Sequence, residues 1–474
     1  MQKYILRLLS LLATFIIITQ CNKFYHSGGE NHFTEWKHYL GDPGRSHYSK
    51  LSEFTSKNIK SLKVAWEYES KDYGQMQMNP IVVDTLLYGV SSALRVFALD
   101  ARSGEEVWVF GDTLKTLFST SRGVSYWESG NDRRIFYTKG ADLWALNAHT
   151  GQPILSFGKG GKIDLRSGLP ASARDKFVIS STPGTIYKNL IIMPLRLSEG
   201  VGAAPGDVMA FDVITGELAW SFHTLPRNGE PGIETWGDPN ISESPIVGAA
   251  NNWAGMALDQ KREILYVPTG SAAPDFYGAL RPGKNLYSNC LLALNANTGK
   301  LLWYYQFIHH DLWDRDPPAP PNLITVKHGG KKIAAVAQVT KQGYVFVFNR
   351  ETGQPLFDIK EEAVPESELP GEQTWPTQPI PVKPARFARQ SDKLTIKDIS
   401  PFAPNRDSLI TLFKQSDKRN FAPPSLKPAL LLPGYDGGAE WGGAAADPDK
   451  GILYINSNEM AWFLQMRSND DKGE

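Results

Sequence analysis

Cysteine is nearly absent: Cys21 and Cys290 are the two in 474 residues, so no disulfide network holds this fold together. The Cys-x-x-Cys-His spacing that attaches a haem is missing as well. Neither sign of charge is in excess, because 50 Lys and Arg face 50 Asp and Glu for a formal net charge of zero. Phosphate backbones demand a basic surplus, which argues against a nucleic-acid partner and for a small or uncharged substrate. Nor is there an apolar run long enough to span a membrane comfortably.

The run from Ile5 to Ile18, with Lys3 and Arg7 at its head, has instead the form of a bacterial secretion signal that is removed from the mature protein. Cys21 directly behind it resembles a lipoprotein cleavage site, at which an acylated Cys21 would tether the protein to a membrane surface. Gln20 departs from the usual small residue there, and simple secretion is the alternative. Either outcome places the chain in the periplasm or cell envelope. Cys290 then has no intramolecular partner. Residues 22–35 read as a polar tether, and the fold begins near Trp36.

What is abundant is turn and aromatic material: 42 Gly, 32 Pro and 13 Trp suit an all-β chain of short strands. A repeat runs through it. Ala98-Leu99-Asp100-Ala101-Arg102-Ser103-Gly104 leads to Trp108, and the same pattern returns at Ala145 to Gly151, at Ala210 to Trp220, at Ala293 to Trp303 and at Val347 to Phe357. Each copy is a strand, a tight turn in which Asp or Asn and Gly supply the unusual backbone angles, and a second strand ending in a large aromatic. A lone hairpin is marginal in water, so repeated ones must stack; spacings of about 50 residues suit the four-stranded blades of a β-propeller. A solenoid is the alternative. The segment 36–68, with Ala65-Trp66, reads as an outer strand in search of a partner from the last blade, and 358–432 as a long excursion around blade edges. With the strand Gly451 to Ile455, the repeats make about six blades.

One stretch departs from this pattern. His309-His310-Asp311-Leu312-Trp313-Asp314-Arg315-Asp316 packs two histidines and three carboxylates in front of Pro317-Pro318. Carboxylates are almost never fully buried unless paired or metal-bound, so the run reads as a loop that positions acids at a site. An acidic, proline-terminated surface loop has the same composition.

Together with the repeat, four motifs carry a resemblance that covers about Trp36 to Ile455: Arg122-Gly123-Val124-Ser125-Tyr126-Trp127, Asn252-Trp253, His309 to Asp314, and Glu440-Trp441-Gly442-Gly443. The chain resembles the quinoprotein dehydrogenases that use pyrroloquinoline quinone (PQQ), most of all their membrane-associated glucose dehydrogenase branch. The resemblance implies an all-β, eight-bladed propeller over 36–474, with its last blades missing here, and PQQ plus one divalent cation, calcium or magnesium, on the axis. It implies oxidation of a glucose-like aldose or an alcohol by hydride transfer, with electrons passed to a membrane quinone or a cytochrome.

A flat quinone with three carboxylates needs an aromatic floor, cations, and a metal that polarises its carbonyl. By resemblance Trp253 is the floor, although a blade-core tryptophan is the bland alternative. Arg122 clamps a carboxylate, a task suited to a planar bidentate donor, and Lys341 stands beside the quinone oxygens; surface positions are the alternative for both. Gln77 and Ser180 are further cofactor contacts. Asp314 matches the catalytic aspartate and, with Glu199 and Ser271, the metal site. Ser271 stands where relatives carry Asn or Thr. Asp311 and Asp316 read as structural, and the two histidines as loop-stabilising, because the family binds a hard cation through oxygen. The vicinal cysteines of alcohol-oxidising relatives are missing after Thr120, and Trp127 replaces a histidine common in the glucose branch. The competing reading is a cofactor-free propeller scaffold lipoprotein of outer-membrane assembly, which would have no use for Arg122, Trp253, Lys341 and Asp314 together.

Overall fold

The computed structural model describes residues 33–112 and 120–468. The signal-like run, Cys21 and most of the tether lie outside them. Among the described residues no helix is long and apolar enough to cross a membrane.

The repeat becomes a series of antiparallel meanders. Sheet 1 has the strands Ile81–Val83, Leu86–Val90, Val96–Asp100 and Glu106–Phe110. Sheets 2, 3 and 4 are likewise four-stranded and lie within 125–164, 185–222 and 257–306. Sheet 5 has three strands, within 322–349, and sheet 6 pairs Ala444–Asp447 with Ile452–Ile455. After Ile455 the chain leaves this pattern: Trp462–Leu464 pairs with Ala429–Leu431 at the end of the long excursion. That excursion contributes a hairpin, Ile359–Ala363 with Thr377–Pro381, and one α-helix, Arg406–Gln415.

The cores lie between sheets, not within them. Val96, Trp108, Ile135 and Leu146 pack sheet 1 on sheet 2, and Ile192, Val208, Leu265 and Leu292 pack sheet 3 on sheet 4. First strands of successive sheets neighbour one another from sheet 2 through sheet 6. The segment from Trp36 to Ser46 crosses these strands: Trp36 bridges Val82, Leu258 donates to the Pro43 carbonyl, Leu323 to that of Gly44, and Ala446 to that of Ser46. Arg45 donates to Thr185 Oγ1 at 3.0 Å and to the Met256 carbonyl at 2.7 Å. One short segment thus ties sheets 1, 3, 4, 5 and 6 to a common centre.

At the rim, the repeat's glycine and its aromatic meet across sheet boundaries. Trp108 of sheet 1 lies on the Gly151 turn of sheet 2, Trp220 of sheet 3 on Gly299 of sheet 4, and Trp303 of sheet 4 on Gly353 of sheet 5. Trp66, ahead of sheet 1, lies on Gly104 in the same way and donates to the Ala101 carbonyl at 3.2 Å. Among the described residues the stretch around Trp66 pairs with no other strand. Gly151 has φ +69°, and a methyl group there would stand 2.5 Å from the Trp108 ring. Gly151→Ala is therefore expected to destabilise by about 1–3 kcal/mol through overpacking, with about 1–2 kcal/mol more from left-handed strain. Urea unfolding of the two chains measures it.

Candidate active site

The acid-rich stretch is fixed in place by its own side chains. Trp313 is buried and donates from Nε1 to the Ala422 carbonyl at 2.8 Å, while Asp311 accepts from the amides of Trp313 and Arg315 at 2.9 and 2.7 Å. His310 Nδ1 faces the Gly283 carbonyl and its Nε2 faces Glu372, both at 2.8 Å, and His309 sits between Gln306 and Glu361. Both rings thus anchor the loop to neighbouring segments. Asp314 is held at φ +54°, a backbone region costly for a residue with a side chain.

Asp314 reaches a cavity of ≈ 480 Å³, within the range of about 300–1,000 Å³ usual for small-molecule sites. Seven of the eight residues expected from the sequence line it: Gln77, Arg122, Glu199, Trp253, Ser271, Asp314 and Lys341. Ser180 does not. Its hydroxyl is turned to the Thr182 carbonyl at 3.1 Å, and the neighbouring Ser181 and Thr182 hydroxyls accept from Arg122 instead, at 2.9 and 3.0 Å. Arg196, Asp275, Asp316, Asp436, Glu440 and Trp441 complete the charged and aromatic lining. Of these, Glu440 and Trp441 stand in a motif noted above, and Asp316 belongs to the acid-rich stretch; nothing local in the sequence singles out Arg196, Asp275 or Asp436.

The electrostatics follow from these neighbours. The Arg122 guanidinium lies 5.4 Å from the Trp253 ring centre and 4.9 Å from that of Trp441, and its buried Nε has no hydrogen-bond partner among the described residues. Lys341 Nζ lies 2.9 Å from Asp314 Oδ1; burial works against its charge, but Asp316 and Asp314 together hold it well above the usual lysine range. Gly437, at φ +75°, lets the 434–438 loop close over the Lys341 stem, where a methyl would come within 2.6 Å of Cγ. Burial pushes the Asp314 carboxyl well up, Lys341 opposes, and Asp316 and Asp275 add to the rise. Asp316 is held below the usual range: burial is outweighed by Lys341 and by hydrogen bonds from Asp314, Trp253 Nε1 (2.6 Å) and Ser271 (2.9 Å). Burial and the charges of Asp316 and Asp311 likewise drive Asp275 well up.

Six carboxylates face three cations across this cavity. A surplus of negative charge around one cavity calls for a cation, and an arginine nitrogen without a hydrogen-bond partner among the described residues, set between two indoles, calls for an anion with a flat body. A polycarboxylated aromatic cofactor with a divalent cation answers both demands, so the residues present fit the groups implied by the resemblance.

Over residues 36–474 the chain matches the family described as PQQ: glucose/ethanol/alcohol dehydrogenase, beta-propeller domain. It belongs to this family. It is 33% identical over 470 residues to a quinoprotein glucose dehydrogenase of Escherichia coli, covering 91% of this chain and 57% of that protein. It is 31% identical to a quinate/shikimate dehydrogenase (quinone) of Acinetobacter baylyi, with the same coverages. A crystal structure of a quinohemoprotein alcohol dehydrogenase from Comamonas testosteroni superposes with a TM-score of 0.67 at 23% identity, over 91% of this chain and 58% of that one. This last likeness concerns the fold: a β-propeller of the quinoprotein type. The chain thus spans just over half the length of the curated relatives it matches.

Proposed function

We propose that this chain carries the PQQ site of a dehydrogenase that oxidises a hydroxyl group of a sugar, such as a glucose-like aldose, or of an alcohol. The observation that supports this most is the convergence of Arg122, Trp253, Lys341 and Asp314 on one cavity, brought there from four separate sheets and loops. PQQ, when bound, supplies a hydride acceptor, and a divalent cation polarises its reactive carbonyl. Arg122 would hold a cofactor carboxylate, Trp253 and Trp441 would face its rings, Lys341 would stand at its oxygens, and Gln77 would contribute a further polar contact. Glu199, with Ser271 and Asp314 as the other positions implied by resemblance, would hold the cation.

Asp314 is the general base, taking the proton of the substrate hydroxyl at a carboxylate oxygen. Its burial raises its proton affinity, which favours proton capture, while Lys341 and a bound cation favour the ionised state that must receive the proton. Location in the periplasm or cell envelope follows the secretion-like N-terminus, and a membrane quinone or a cytochrome would take the electrons. The test is dye-linked oxidation by the chain loaded with PQQ and calcium, assayed against aldoses and simple alcohols. Turnover of at least one class is expected. A chain that binds PQQ yet oxidises neither would contradict the proposal.

A further inference from the structure

Of the six cavity carboxylates, four already have a donor. Asp314 has Lys341, Asp316 has Trp253 and Ser271, Asp436 has the Trp462 indole at 3.3 Å, and Glu440 has the Trp441 amide at 2.9 Å. Among the described residues no hydrogen bond or ion pair reaches the carboxylates of Glu199 and Asp275. The two stand on facing loops that the backbone joins directly, with the Asp275 amide donating to the Glu199 carbonyl at 3.1 Å.

Ser271 is differently placed. Its one hydroxyl lies 2.5 Å from Asp311 Oδ2 and 2.9 Å from Asp316 Oδ1, and accepts from Asn289 Nδ2 at 3.1 Å. A hydroxyl has one proton and two lone pairs, so this oxygen is committed inside the protein. It binds the Gly270–Ala273 strand region to the acid-rich loop. Among the described residues, no three His, Cys, Asp or Glu side chains stand close enough to enclose a cation by themselves, so the protein supplies part of a shell and not a cage.

We infer that Glu199 and Asp275 are the carboxylates with which this chain holds its divalent cation, and that Ser271 is a positioning residue that fixes Asp311 and Asp316. The inference rests on the PQQ-site reading above. Both are hard oxygen donors, and carboxylates that no protein hydrogen bond or ion pair has taken up are left available to a cation.

The experiment is calcium titration of the full chain at fixed PQQ, with retained PQQ measured by equilibrium dialysis, on the wild type, Asp275→Asn, Asp275→Ala and Ser271→Ala. Either Asp275 variant is expected to raise the half-saturating calcium by about tenfold or more, with PQQ retention recovered at high calcium. Ser271→Ala is expected to move it far less. Melting supplies an independent reading: relieved of repulsion, Asp275→Asn should be at least as stable as the wild type in chelator, and should lose the gain that calcium gives the wild type. An unchanged calcium midpoint in both Asp275 variants, or a larger shift in Ser271→Ala than in either, would overturn the inference. A wild type that retains no PQQ at any calcium concentration would overturn the PQQ-site reading itself and this inference with it.

Discussion

Asp314→Asn is expected to lower dye-linked turnover by about 100-fold to 10,000-fold, the usual cost of losing a general base, while PQQ is still bound. The amide keeps the shape of the side chain and can still meet Lys341 Nζ, which lies 2.9 Å from Oδ1 in the native chain, through its carbonyl oxygen. It cannot take a proton. Trp253, Arg122 and Trp441 do not hydrogen-bond to Asp314, so the cofactor side of the cavity should be little disturbed. Turnover near that of the wild type would move the role to Asp316, which lies in the same cavity.

The strand-turn-aromatic repeat was legible because its parts act locally. Gly104, Gly151, Gly299 and Gly353 all carry positive φ, and each lies under a tryptophan that the repeat places in the preceding sheet or segment. The acid-rich loop was legible for the same reason: Asp311 caps its own loop and Pro317-Pro318 ends it. Asp316, read as structural from sequence, both binds Ser271 and lines the cavity, so the two roles are one. Arg196, Asp275 and Asp436 escaped notice because they sit in unremarkable sequence and reach the site only when distant loops meet. Ser180 was singled out by the family resemblance, but its hydroxyl is turned to Thr182, and Ser181 and Thr182 accept from Arg122 instead. The return of Trp462–Leu464 to Ala429–Leu431 joins segments with no shared motif, and pairings of that kind leave no local signature.

Removing divalent cations should have the second large effect. With Glu199, Asp275, Asp314, Asp316, Asp436 and Glu440 around one cavity, a ligand with three carboxylates meets strong repulsion unless a cation stands between the two sets of oxygens. Arg122 and Lys341 offset part of it, and Lys341 is already paired with Asp314. Binding in the presence of chelator should therefore be weaker by at least about 1.4 kcal/mol, which is tenfold in affinity. Trp253 and Trp441 line the cavity on either side of Arg122, so their fluorescence should report the bound quinone.

The decisive measurement is a titration of the full chain with PQQ, followed by quenching of tryptophan fluorescence, once in calcium and once in chelator. Saturable quenching in calcium that weakens at least about tenfold in chelator is the predicted result. Equal quenching in both would contradict the role given to the cation, and no quenching in either would contradict the site itself.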